Sequence, residues 1–235
     1  MIIKSFNTLI ALAFAAAFSC APHLIAAEKA SSTKPDTTSA KEAQESEAAY
    51  TQSIEKRVDE ILLVLELKDP AKKSKAHDLL IAHYRSLRDW HDANDPRLKT
   101  ATEPQAQEIK VSLKAIHEKF ITALSAELTP EQVEKIKDKM TYGTVKVTYD
   151  AYCEIVLNLT EPEKQKILEL LKQGREEAMD GGSHKEKAAI FKKYKGKINN
   201  YLDSQGHNVK QSYKDWGEKQ KTKTAATPPA AEKKD

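Results

Sequence analysis

An all-α chain is the fold class these residues predict, and three observations carry it. Apolar residues recur at steps of three and four through the middle of the chain. Three segments open on a capping residue with proline in the first turn, at Asp69-Pro70, Thr129-Pro130 and Thr160-Glu161-Pro162. With 7 glycines and 9 prolines in 235 residues, the turn chemistry of an all-β fold is missing. A single domain of six or seven amphipathic helices is expected, with one short extended crossing at residues 144–148.

The first helix is expected from about Glu47 to Leu67, with Tyr50, Ile54, Val58, Ile61, Leu62 and Leu65 on one wide face. Asp69 caps a second, whose stripe runs through Ala76, Leu80, Tyr84, Leu87 and Trp90 and which should end near Asn94-Asp95-Pro96. A third spans about Pro104 to Glu127, and Thr129 opens a fourth that carries Val133, Ile136 and Met140. The β-branched stretch from Thr144 to Thr148 reads as extended, with a helix from Tyr149 to Leu157 after it. Thr160 opens the next helix. At the corner Gly181-Gly182-Ser183, glycine is expected to supply the left-handed backbone that ends a helix, and Ser183 with Glu186 forms a capping box for another running to about Ser204. On that last helix Gly196 lies almost opposite the apolar face. A mid-helix glycine costs about 1 kcal/mol against alanine, so a close neighbour or ligand is expected along Gly196, Asn199 and Asn200.

The two ends read differently. Lys4, the apolar run Leu9 to Phe18 and the small residues through Ala27 have the layout of a secretory signal peptide over residues 1–27. The apolar run is too short for a retained membrane span. Export to the periplasm or beyond is expected, with lipidation at Cys20 as the alternative. Residues 28–46 form a flexible leader, 47–218 the helical domain and 219–235 a disordered Lys/Pro/Ala tail. With Cys20 removed, Cys153 stands alone and no disulfide forms within the chain.

Lys+Arg 38 against Asp+Glu 35 leaves a net charge of only +3, which gives no electrostatic footprint for nucleic acid. The lysines from Lys185 to Lys197 spread around their helix as a solvated face. Histidine offers the candidate site. His77, Tyr84, Arg88, His91 and Asp95 share one helical sector, where His91 could act as general acid or base, Arg88 could hold an anion, and Asp92 or Asp95 could orient the imidazole. Tyr84, Tyr142 and Tyr149 are candidates for contact with a ligand. No metal site and no cofactor are expected, since no two histidines stand at i and i+4 and HExxH and phosphate-loop motifs are absent.

The runs AMDGGSHKEKAAIFKKYKGKINNYL, MTYGTVKVTY and YRSLRDWHDAND resemble an uncharacterised family of secreted bacterial proteins known only as a domain of unknown function. The resemblance covers most of Tyr50 to Trp216 and implies one whole exported domain with no assigned catalytic residue. Leu128-Thr129-Pro130-Glu131-Gln132 and the imperfect Leu159-Thr160-Glu161-Pro162-Glu163 are similar to the paired LTxxQ motifs of small periplasmic stress chaperones. The functional expectation is a binding or scaffold protein of the cell envelope, with an envelope protein or glycan as partner. An extracytoplasmic enzyme acting on a carbohydrate through the His91 sector is the alternative.

Overall fold

The computed structural model describes the backbone of residues 37–226 and the side chains of residues 44–222. The stretch read as a signal peptide, Cys20 within it, and the last residues of the tail lie outside them. The chain divides between Gln44 and Glu45 into two units, and all the packing below lies within the second.

Eight α-helices make up the described residues: α1 (Thr37–Leu65), α2 (Pro70–Leu98), α3 (Glu103–Glu127), α4 (Pro130–Met140), α5 (Thr144–Ile155), α6 (Glu161–Met179), α7 (His184–Ser204) and α8 (Val209–Ala226). That is more than the six or seven expected. The first helix reaches back into the stretch read as leader, and α8 runs on into the stretch read as tail.

The capping residues start the helices as their chemistry requires. Asp69 Oδ1 accepts from the Ala71 amide at 2.8 Å, and Gln132 N donates to Thr129 Oγ1 at 3.3 Å while Thr129 N donates to Gln132 Oε1 at 3.0 Å. At the imperfect second copy of that motif, Glu163 does the work of glutamine, accepting from Thr160 N at 2.7 Å. Pro96 does not end α2, which continues to Leu98. A proline in the last turn removes one donor from a helix that is about to stop, so little is lost.

The extended crossing expected at 144–148 is instead the first half of α5. The strand preference of valine and threonine spans only about 1 kcal/mol per residue, whereas full burial of a valine or isoleucine stabilises by about 1.5–3 kcal/mol. Helical spacing puts Val145, Tyr152 and Ile155 together in the core. The chain reverses before α5 through two consecutive left-handed residues, Tyr142 (φ 59°) and Gly143 (φ 65°).

Two apolar clusters form. One joins α1 to α4 through Val58, Leu62, Leu80, Phe120, Leu124 and Ile136. The other joins α5 to α8 through Tyr152, Ile167, Leu171, Phe191, Ile198, Leu202 and Val209. Helix α6 belongs to both: Leu171 and Ala178 face the second cluster, and Met179 closes the first. Buried Arg175 binds Asp138 and Glu134 of α4, each at 2.7 Å, which ties the two halves by charge as well. Gly174 brings α6 and α7 close, because a Cβ there would stand 2.9 Å from Cγ of Tyr194.

The expected close approach at Gly196 is not found. A Cβ at Gly196 would meet nothing within 4 Å, so that face is open. The corner glycines also serve differently from expectation. Among the described glycines only Gly143 and Gly206 have positive φ. Gly181 and Gly182 are needed for space, against the side chains of Lys187 and His91.

Candidate functional site

The α6–α7 corner meets α2 at His91, and the groove next to it is built from elements the local sequence fixes. Tyr50 of α1 donates to the Tyr84 carbonyl at 2.9 Å, which holds α1 along α2. A cavity of about 290 Å³ opens there, lined by Tyr50, Tyr84, Arg88, His91 and the corner residues Gly182 and Ser183. A larger one of about 890 Å³ adjoins it, running towards Val64, Lys139 and Met140. Arg57, Tyr84, Tyr142 and Lys187 line both, so the two form one groove over Tyr84.

Six of the residues singled out in the sequence converge on the smaller cavity: Tyr84, Arg88, His91, Asp92, Asp95 and Tyr142. The rest do not. His77 is bound to Glu55 at 2.8 Å on the flank of α2. Tyr149 belongs beside Cys153 against the second apolar cluster. Asn199 accepts from the Tyr152 hydroxyl at 2.6 Å, and Gly196 and Asn200 are exposed.

Arg88 is not free to hold an anion. Its guanidinium stacks 4.3 Å over the Tyr50 ring and pairs with Glu47 at 2.5 Å and Asp89 at 3.1 Å. A guanidinium available in the groove is that of Arg57, which the sequence did not single out. It makes no ion pair or hydrogen bond among the described residues, yet it lies near enough to Tyr50, Tyr84 and Lys187 to act on all three electrostatically. Burial pushes the Tyr84 hydroxyl up to about 12, so it stays a neutral donor. Tyr142 is half exposed at the groove edge, with its ring 5.1 Å from that of His184.

Lys187 was read as part of a solvated face and is in fact buried. It stands four residues before Phe191, on the apolar stripe itself. Its Nζ donates to the carbonyls of Ala178 and Met179 at 2.9 and 3.0 Å and so satisfies the end of α6. Burial lowers its pKa to about 8. The stripe position was the signal for this; nothing in the spacing marked Arg57.

Behind the corner runs a chain of imidazoles and carboxyls. His91 Nε2 is 2.8 Å from the Asp180 carbonyl oxygen and Nδ1 is 3.0 Å from Asp95 Oδ1. Burial disfavours its charged form, but these two contacts outweigh it and raise the pKa. His117 Nδ1 lies 3.0 Å from Asp180 Oδ1, and its Nε2 lies 3.5 Å from Glu176. The bonds to those two acids raise His117 to about 9. Burial works against ionised Glu176, yet His117 and Lys137 hold it at about 2. His83 is the opposite case: buried, stacked 3.8 Å on Phe120 and without a partner at either ring nitrogen, it is pushed down to about 3 and is neutral.

Chemically, both nitrogens of His91 and both of His117 are engaged, so neither ring has a free atom for a substrate proton. The groove over Tyr84 offers a free guanidinium, a neutral phenol and an exposed aromatic face. No helix among the described residues is long and apolar enough to cross a membrane. The family model described as "Protein of unknown function (DUF3826)" matches residues 51–222, and the chain belongs to that family. No curated protein matches it.

Proposed function

We propose that this member of the DUF3826 family is an exported, non-catalytic binding protein of the cell envelope whose groove over Tyr84 holds an acidic glycan. The observation that carries the reading is the unpaired guanidinium of Arg57 in a groove beside Tyr84. A guanidinium fork matches a carboxylate with two parallel hydrogen bonds. The neutral Tyr84 hydroxyl can donate to a sugar oxygen, and the Tyr142 ring supplies an apolar face with a polar edge. Tyr142 holds a left-handed backbone at φ 59°, a conformation that costs a residue with a Cβ about 1–3 kcal/mol and concentrates at ligand sites.

The alternative, an enzyme using His91 as acid or base, is disfavoured by the engagement of both its ring nitrogens. Export rests on the layout of residues 1–27. The test pairs product analysis with a binding footprint. Incubated with an oligosaccharide of uronic acid, the protein should leave chain length and unsaturation unchanged, while NMR signals of Arg57, Tyr84 and Tyr142 shift. New reducing ends that vanish in His91→Ala would overturn the binding-only reading.

A further inference from the structure

We propose that His91 Nδ1, Asp95 and Glu186 bind a divalent metal ion of the zinc type. One ligand atom from each lies within 4.8 Å of the other two. Ligand atoms this close can share one ion, whose bonds to nitrogen and oxygen run to about 2.0–2.2 Å.

The imidazole is held in the tautomer a metal needs. The Asp180 carbonyl oxygen, 2.8 Å from Nε2, can only accept, so Nε2 carries the ring proton. Nδ1 then turns a lone pair towards Asp95 Oδ1 at 3.0 Å, another acceptor, with the Glu186 carboxylate beside it. Without an ion, a second ring proton fills the gap between Nδ1 and Asp95 Oδ1, which is how Nδ1 is engaged, and a metal ion would take that proton's place. A second proton on the ring would balance one carboxylate. A divalent ion balances both, and neither Asp95 nor Glu186 is paired with a lysine or arginine among the described residues.

The scaffold is fixed on every side. His91 and Asp95 stand at i and i+4 on α2, which puts them on one face. Glu186 Oε2 accepts from the Gly182 and Ser183 amides at 2.7 and 3.2 Å, which orients the carboxylate and leaves its other oxygen for the ion. The carbonyl behind the imidazole and the amides behind Glu186 are the outer contacts that position metal ligands. Gly182 packs close to the ring, where an added Cβ would stand 2.9 Å from it. Access is open: His91, Asp95 and Glu186 line both the 290 Å³ cavity and a cleft of about 780 Å³ towards α3. One nitrogen and two oxygen donors suit zinc better than calcium or magnesium, which prefer oxygen alone. The site does not depend on the glycan reading, and its test does not involve a glycan.

The full-length protein, without a histidine tag and stripped by a chelator, is titrated calorimetrically with zinc and, in parallel, with cobalt(II) for its visible spectrum. One equivalent of zinc should bind in the micromolar range or tighter. Asp95→Asn and Glu186→Gln, which keep the hydrogen-bonding shapes of their sites, should each weaken binding by about tenfold or more, and His91→Ala should remove it. His117→Asn, outside the set, should bind as the parent does. The absence of saturable binding, or zinc affinity undiminished in both carboxylate variants with circular dichroism unchanged, overturns the proposal. Should His91→Ala fail to fold, the two carboxylate variants decide the matter.

Discussion

Gly182 lies flat against the imidazole of His91: a Cβ at this position would stand 2.9 Å from both Cδ2 and Cγ of the ring. The contact explains why the α6–α7 corner needs a glycine although its φ is not positive. Gly182→Ala must displace either the corner or the ring, and overpacking of this kind costs about 1–3 kcal/mol. Urea unfolding should show that loss. An unchanged midpoint would mean the corner yields freely.

Gly196 makes the opposite case. Its α7 position is open to solvent, so Gly196→Ala removes only the backbone entropy of glycine and should stabilise by about 0.5–1 kcal/mol. The same urea titration checks it, and a destabilised variant would restore the idea of a close neighbour there.

Arg175 is 2% exposed and held by Asp138 and Glu134. Removing both acids leaves the buried charge with only the longer contact to Glu176 at 3.3 Å, and breaking a buried pair costs about 3–5 kcal/mol. Arg175→Met keeps the volume and removes the charge, so it should cost less than the Glu134→Ala/Asp138→Ala double variant. Equal losses in thermal or urea unfolding would show that packing, not charge, dominates at this junction.

The His117 network sets a pH window. In the folded chain His117 holds its proton up to about 9 rather than the ordinary 6.5. Its contribution is therefore complete below 6.5 and is lost as pH rises through about 9. Glu176, held at about 2 against an ordinary 4.5, contributes fully above 4.5 and loses that contribution as pH falls through about 2. Unfolding free energy measured across pH should peak between these limits. In His117→Gln the alkaline decline should flatten; if it persists unchanged, another group causes it.

The helices were legible in the sequence because capping pairs and apolar steps act locally. Asp69, Thr129, Thr160 and Ser183 each start a helix where they stand. α5 was misread because strand propensity is weaker than burial, and the burial of Val145 and Ile155 is visible only once α6 and α7 are in place. Part of the groove was legible too: Tyr84, His91 and Tyr142 were singled out, although from separate local features. Arg57 was not, since an exposed arginine on an amphipathic helix is ordinary until its surroundings show that nothing pairs with it. Glu186 showed only its capping role, because the partner at His91 comes from a helix far away in the chain.

The expected export has a direct check at the N-terminus. Mass spectrometry of the protein recovered from its native compartment should find the mature chain starting near Ala27. A chain that starts at Cys20 and carries lipid would establish the lipoprotein alternative.

The central claim is the glycan groove, and calorimetric titration with a uronic-acid oligosaccharide and its carboxyl-reduced form tests it most directly. The acidic form should bind, the reduced form should bind at least about tenfold more weakly, and Arg57→Gln should remove that difference, as the loss of one charge-assisted bidentate contact of about 1.5–3 kcal/mol requires. Equal affinity for the two sugars, or an Arg57→Gln variant that still tells them apart, would contradict the account.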